Sequence, residues 1–161
     1  MERLWAPWRM EYILSTVKEL DDSGCVFCKM LAEQNDEQNL ILHRGRLAFV
    51  VMNKYPYNSG HVMVVPVRHV GEFNVLTADE HVELAELVTQ AQNTLTKAMR
   101  PHGFNIGMNL GRASGAGIVD HLHYHIVPRW SGDSNFMSTT ADTKVMSESL
   151  PDTWKRLKSA F

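Results

Sequence analysis

The sequence is poor in cysteine, in net charge and in long apolar runs. Two cysteines in 161 residues cannot build the disulfide framework of a small secreted domain, which leaves burial, redox chemistry or metal binding as their roles. Sixteen basic side chains against 18 acidic ones leave a formal charge of −2 with histidine counted as neutral, and the pI is near 6.4. Such a chain has no electrostatic footprint for coating DNA or an anionic membrane, so a nucleic-acid-like ligand must be held by a local site. No window reaches the apolar length of a bilayer-spanning helix. Between Met1 and Leu14 the charges of Glu2, Arg3, Arg9 and Glu11 interrupt Trp5, Trp8, Tyr12 and Ile13, unlike a secretory signal. The expectation is a cytoplasmic protein with neither nucleic acid nor membrane as partner.

What is present is globular in its proportions, 44% hydrophobic and 21% charged, and long enough for one domain with its own core. The expected unit is a single domain over 1–161. Its core covers about 25–130, and the polar run Ser131 to Ser149 opens a C-terminal extension over 131–161.

RLAFVVM from Arg46 to Met52 and HVMVVPV from His61 to Val67 read as strands about a loop, NKYPYNSG, punctuated by Pro, Asn and Gly. Thr77 followed by Glu80 has the spacing of a capping box, and Leu84, Val88, Ala91, Leu95 and Ala98 continue at helical period until Pro101 and Gly103. That predicts a helix over Ala78 to Met99. Phe104, Ile106, Met108 and Leu110 alternate with polar or small residues, as in a half-buried strand. A short helix is predicted from Pro151 to Phe161, with Trp154, Leu157 and Phe161 on one stripe; Trp5, Trp8 and Trp130 are expected to pack the termini onto the domain. Strand pairs with segregated helices indicate an antiparallel α+β fold.

His121, His123 and His125 alternate with Leu122, Tyr124 and Ile126, so in a strand the imidazoles share one surface while the apolar set faces the core. The glycine-rich loop GRASGAG, Gly111 to Gly117, precedes them. Glycines let backbone N–H groups approach an anion, and Asn109 and Ser114 add neutral hydrogen-bonding groups. Three imidazoles beside such a loop point to phosphoryl or nucleotidyl chemistry, in which a neutral imidazole attacks phosphorus and a neighbour stabilises the developing charge. His61 at the head of its strand reads as structural, and His43, His81 and His102 as solvated.

The segment His121-Leu122-His123-Tyr124-His125-Ile126-Val127 resembles the motif that names the histidine triad (HIT) family of nucleotide hydrolases and transferases. AFVVMNKYPYNSGHVMVVPVRH is similar to the family's central hairpin and CVFCKM to its opening segment, so the resemblance runs from about Cys25 to Trp130. It implies a HIT-like antiparallel sheet with two main helices, and a homodimer whose sheets join. It also implies a nucleophile at His123 that forms a covalent nucleotidyl-histidine intermediate, and a phosphate partner at His125. Asn53 would hold the ribose, and Asn109, Ser114, Gly115 and Gly117 would lie along the phosphate. Val26, Phe27, Met30 and Val51 would line the base pocket, with plain core as the other reading of Phe27 and Val51.

Gly117 and Ile118 stand where many members carry Gln followed by Ser or Thr. SGAGIVDHLHYHIVPRW, with GDSNFM after it, is closer to the bacterial diadenosine tetraphosphate phosphorylase type, in which inorganic phosphate takes up the nucleotidyl group. Phosphorolysis of a dinucleoside polyphosphate is thus the favoured expectation. Hydrolysis of nucleoside phosphoramidates or polyphosphates, or nucleotide binding without turnover, are the alternatives.

Cys25-Val-Phe-Cys28 has zinc-knuckle spacing but lacks two ligands for a closed tetrahedron. A redox CxxC belongs at a helix start beside a βαβ unit, and the surrounding sequence suggests neither. The family resemblance supplies His69, in PVRHV, and His121 as the remaining ligands of a structural zinc.

Overall fold

The computed structural model describes residues 24–134 and 144–161; the expectations for Trp5 and Trp8 lie outside them. Among the described residues, three α-helices, α1 (Val26–Ala32), α2 (Ala78–Met99) and α3 (Leu150–Lys158), accompany five strands. These are β1 (Ile41–Arg44), β2 (Ala48–Met52), β3 (Val62–Pro66), β4 (Gly103–Gly107) and β5 (Tyr124–Arg129). The strands form one sheet in the order β1-β2-β3-β5-β4 with every neighbour antiparallel. The expected α+β architecture holds.

Every residue of β2 and β3 is buried, because both faces of the sheet are covered. On one face Val50, Val62, Leu122 and Ile126 pack against Leu84, Leu87, Ala91 and Leu95 of α2. On the other, Phe49, Val51, Met63 and Val65 pack with Ile41 and with Phe27 of α1. The α2 helix spans the predicted residues. Thr77 Oγ1 accepts from the Glu80 amide, the Glu80 carboxylate accepts from the Thr77 amide, and Arg100 ends the helix in the left-handed region at φ 50.

Two elements were not foreseen, for physical reasons. Helix α1 has seven residues, no side-chain cap and no acidic first turn, so tertiary packing of Phe27 holds it rather than local propensity. Strand β1 has four residues with no burial alternation and a register shift between Ile41 and His43. Other boundaries move. β4 ends at Gly107 rather than reaching Leu110, which is 44% exposed, and the C-terminal helix starts at Leu150.

The sheet's two edges differ. On β1 the carbonyls of Ile41 and Leu42 accept from Trp154 Nε1 at 3.2 Å and Lys158 Nζ at 2.9 Å, so α3 seals that edge while Leu157 enters the main core. On β4, Asn105, Ile106 and Gly107 are exposed.

The histidine segment needs a correction. Regular pairing starts at Tyr124, so His121 and His123 precede the strand, and both are buried rather than set on an open surface. The alternation survives in extended backbone. Leu122 and Ile126 face α2 while Phe27 of α1 covers the rings of His121 and His123 at 5.3 and 5.2 Å.

Candidate active site and metal centre

Four potential ligands from three parts of the chain converge at one end of the histidine segment. Cys25 caps α1 at its N-terminus and Cys28 lies in its first turn. His69 follows β3, and the Leu122 amide donates to the Val70 carbonyl at 2.8 Å, which draws the two segments together. The approach requires a glycine beside it, since a Cβ on Gly71 would meet the Val119 carbonyl oxygen at 2.9 Å.

The ligand atoms of Cys25, Cys28, His69 and His121 all lie within 4.8 Å of one another. Cys25 Sγ is 3.2 Å and Cys28 Sγ 3.7 Å from His121 Nδ1, and Cys28 Sγ is 3.5 Å from His69 Nδ1. Tetrahedral bonds of about 2.0–2.3 Å give ligand separations of about 3.3–3.8 Å, so this donor set fits a metal of tetrahedral preference. His121 Nε2 donates to the Pro66 carbonyl at 2.8 Å, leaving the Nδ1 lone pair directed at the thiols. Burial, then the adjacent Cys25, raises the Cys28 thiol above its ordinary pKa. A cation between the sulfurs would reverse that preference.

Cys25 and Cys28 do stand at a helix start, contrary to expectation, so helix position does not separate the redox reading from the metal reading. The two imidazoles beside the sulfurs do. No βαβ unit exists in this antiparallel sheet.

At the other end lies a second group, built on His123, His125 and His61, whose place at the head of β3 suggests only a structural role from sequence. Two residues after the buried His121, His123 Nδ1 donates to the His121 carbonyl at 2.9 Å, so its lone pair sits on Nε2. Burial lowers the His123 pKa, opposed by that carbonyl, and favours the neutral ring. The ring of His125 lies 4.7 Å from that of His123.

The tautomers of the next two rings follow from a donor of fixed direction. The Tyr57 amide donates to His61 Nδ1 at 3.1 Å, so His61 carries its proton on Nε2 and donates it to His125 Nδ1 at 2.9 Å. His125 therefore carries its proton on Nε2. Burial, with His125 and His123 nearby, pushes the His61 pKa down to about 3, so His61 stays neutral.

The signal for His61 was a polar residue heading an otherwise apolar buried strand, which demands a partner. Gly60 before it adopts φ +75, and a Cβ there would meet Met99 Sδ at 2.5 Å.

Asn53, just after β2, sits beside this group, with Nδ2 3.4 Å from His61 Nδ1 and Oδ1 accepting from the Tyr55 amide at 2.8 Å. Phe27 and Val51 are fully buried in the smaller core layer, Met30 packs beside them, and Val26 is 41% exposed. In the loop before the histidines, Ser114 Oγ donates to the Gly111 carbonyl at 2.7 Å, and Gly115 takes a left-handed φ of 81. Asn109 and Gly117 are half-buried at its two ends.

A HIT domain model matches residues 33–132. The chain belongs to the HIT family. It is 40% identical over its whole length to the AP-4-A phosphorylase of Mycobacterium tuberculosis strain H37Rv, covering 85% of that protein. It is 33% identical over 58% of its length to the asymmetrical bis(5'-nucleosyl)-tetraphosphatase of Schizosaccharomyces pombe, covering 50% of that protein. Among solved structures, a Zn-bound histidine triad family protein from Mycobacterium smegmatis superposes with a TM-score of 0.69 at 20% identity, over 85% of this chain and 92% of its own. That likeness bears out the HIT fold expected from the triad. No described helix is long and apolar enough to cross a membrane.

Proposed function

We propose that the protein transfers a nucleotidyl group from a dinucleoside polyphosphate, diadenosine tetraphosphate in the first instance, to inorganic phosphate. The observation that carries this reading is the fixed tautomer of His123, whose Nδ1 bond to the His121 carbonyl leaves the lone pair on Nε2. Nε2 attacks phosphorus, the bond to the departing nucleoside polyphosphate oxygen breaks, and that oxygen leaves with the electron pair. An oxygen of inorganic phosphate then attacks the same phosphorus and releases His123. His125 offers its Nε2 proton to the phosphoryl oxygen in both steps.

Val26, Phe27, Met30 and Val51 line the base pocket in this reading, and Asn53 holds the ribose. The Ser114 hydroxyl is turned to Gly111, so the backbone of Ser114, Gly115 and Gly117, with the Asn109 side chain, meets the phosphate. Zinc is the proposed metal of Cys25, Cys28, His69 and His121, because two thiolates and two imidazoles at tetrahedral spacing suit it. Its contribution is to hold α1 and the end of β3 against the segment carrying His123. Among the described residues no strand or helix covers the edge of β4, against the sealed edge of β1, and this supports a homodimer joined through β4.

The relative of 40% identity favours phosphate over water as acceptor, and Gly117 in place of the common glutamine agrees with it. The test is incubation of diadenosine tetraphosphate with and without phosphate. ADP as the phosphate-dependent product supports phosphorolysis, AMP supports hydrolysis, and neither product supports a binding module. His123→Ala should reduce turnover by at least about 10³-fold while leaving AMP binding within about twofold.

A further inference from the structure

The active-site face continues past His125 into a cavity that the reaction as described does not use. Alternate residues of β5 share a face, so Val127 and Arg129 follow His125, the first about 7 Å along the strand. Asn105 of β4 pairs with Val127 and lies beside it. Tyr57, Asn58, Asn105, Val127, Arg129 and Lys144 line an open cavity of about 310 Å³ there. The base pocket under α1 lies on the opposite side of the triad, across β3.

Its chemistry is that of an anion site with an aromatic wall. Among the described residues, Arg129 and Lys144 bring two positive charges against one carboxylate, Asp133, whose side chain is only 8% exposed. That carboxylate is turned inward, accepting from Arg129 Nε at 2.7 Å, from Arg129 Nη2 at 3.0 Å and from Asn58 Nδ2 at 2.8 Å. Asn105 Oδ1 takes a third guanidinium proton at 2.7 Å, which leaves two of the five N–H groups for a ligand. Lys144 Nζ is anchored by the Asp133 carbonyl at 2.7 Å while its side chain is exposed. The Tyr57 ring, 49% exposed, stacks on His61 at 4.8 Å and lies 5.8 Å from the His125 ring.

We propose that this cavity is the subsite for the departing nucleoside polyphosphate, with Arg129 and Lys144 on its phosphates and its base against Tyr57. The inference rests on the nucleotidyl-transfer reading above. It makes the site selective for dinucleoside polyphosphates, because a substrate with a small leaving group gains nothing from these contacts.

The test is equilibrium binding, which needs no turnover. The probes are diadenosine tetraphosphate with methylene groups replacing its anhydride oxygens, and AMP, which fills only the base side. Wild-type protein should bind the bridged compound about tenfold or more tighter than AMP. Lys144→Glu should remove most of that advantage without changing AMP affinity, Lys144→Ala should remove part of it, and Lys144→Arg should restore it. Equal affinities in the wild type, or an advantage unchanged in Lys144→Glu, overturns the subsite alone. Failure of wild-type protein to bind either compound overturns the nucleotide reading beneath it.

Discussion

His121 and His125 stand four residues apart and belong to different chemistries. His121 is fully buried, donates Nε2–H to a carbonyl and presents Nδ1 to two thiols. His125 accepts at Nδ1 from another imidazole and keeps its proton on Nε2. The partner of one ring nitrogen decides what the other can do, as ligand in the first case and proton donor in the second. His123 between them is tied to the metal end by its bond to the His121 carbonyl, and to the relay end by the ring of His125. The two ends are thus coupled through one residue's backbone.

Breaking the metal end should have the largest effect on the protein as a whole. Cys28→Ser removes one of the four proposed ligands, so bound zinc should fall and the Tm should drop by on the order of 10 °C. Turnover should fall with it, although Cys28 is not part of the proposed substrate site, because the carbonyl that orients His123 belongs to His121, another of the proposed ligands. Metal analysis, thermal melting and kcat on one preparation check this. Full metal content or full activity in the variant would uncouple the ends.

The relay end should break without disturbing the metal. His61→Ala, or the bulk-preserving His61→Gln, removes the donor that fixes the His125 tautomer, and kcat should fall by about 10²-fold with zinc content unchanged. In the proposed reaction His61 acts only through His125, as a positioning residue, so its loss should appear in kcat more than in KM.

Acid tests the neutral state of the buried His61. Its folded pKa is depressed from 6.5 to about 3, so the unfolded chain takes up a proton that the folded chain refuses. The contribution is complete above about 6.5 and is lost as pH falls from there toward 3, by a few kcal/mol in all. Denaturant midpoints across that window should fall more steeply in the wild type than in His61→Gln.

How much of this the sequence displayed depended on whether the cause was local. The α2 helix was legible from end to end because its capping box, apolar period and Pro101 all lie within the segment. The alternation of Leu122 and Ile126 with the histidines was legible too, and held even where strand pairing did not. Invisible were the causes that arrive from elsewhere in the fold. The burial of His121 and His123 comes from Phe27, nearly a hundred residues earlier, and the tautomer of His125 from the amide of Tyr57 acting through His61. The ligand set lay between these cases. Cys25 and Cys28 announce themselves by spacing, whereas His69 and His121 came only from the family resemblance, and the backbone bond from Leu122 to Val70 is what brings them together.

The smallest expected effect tests how far the support of the metal end extends. Arg68 precedes His69, one of the proposed ligands, and its guanidinium is held by the Glu80 carboxylate at 2.9 and 2.8 Å and by the Val75 carbonyl at 3.0 Å. Glu80 is itself buried at the start of α2, closing the capping box with Thr77. One carboxylate therefore fixes both the helix start and the chain entering the metal site. The Arg68 guanidinium, followed by the Thr77 amide, holds its pKa down at about 2. A depressed carboxylate stabilises the fold above its ordinary value near 4.5 and loses that contribution as pH falls from there toward 2. Glu80→Gln keeps the shape but weakens both bonds, and should cost about 1 kcal/mol, or a Tm lower by about 2–4 °C. Zinc content should stay full, while its loss to a chelator should quicken a few-fold because His69 is less firmly held. A variant whose melting temperature falls but whose rate of metal loss is unchanged would confine Glu80 to the helix and place the limit of the metal end at His69 itself.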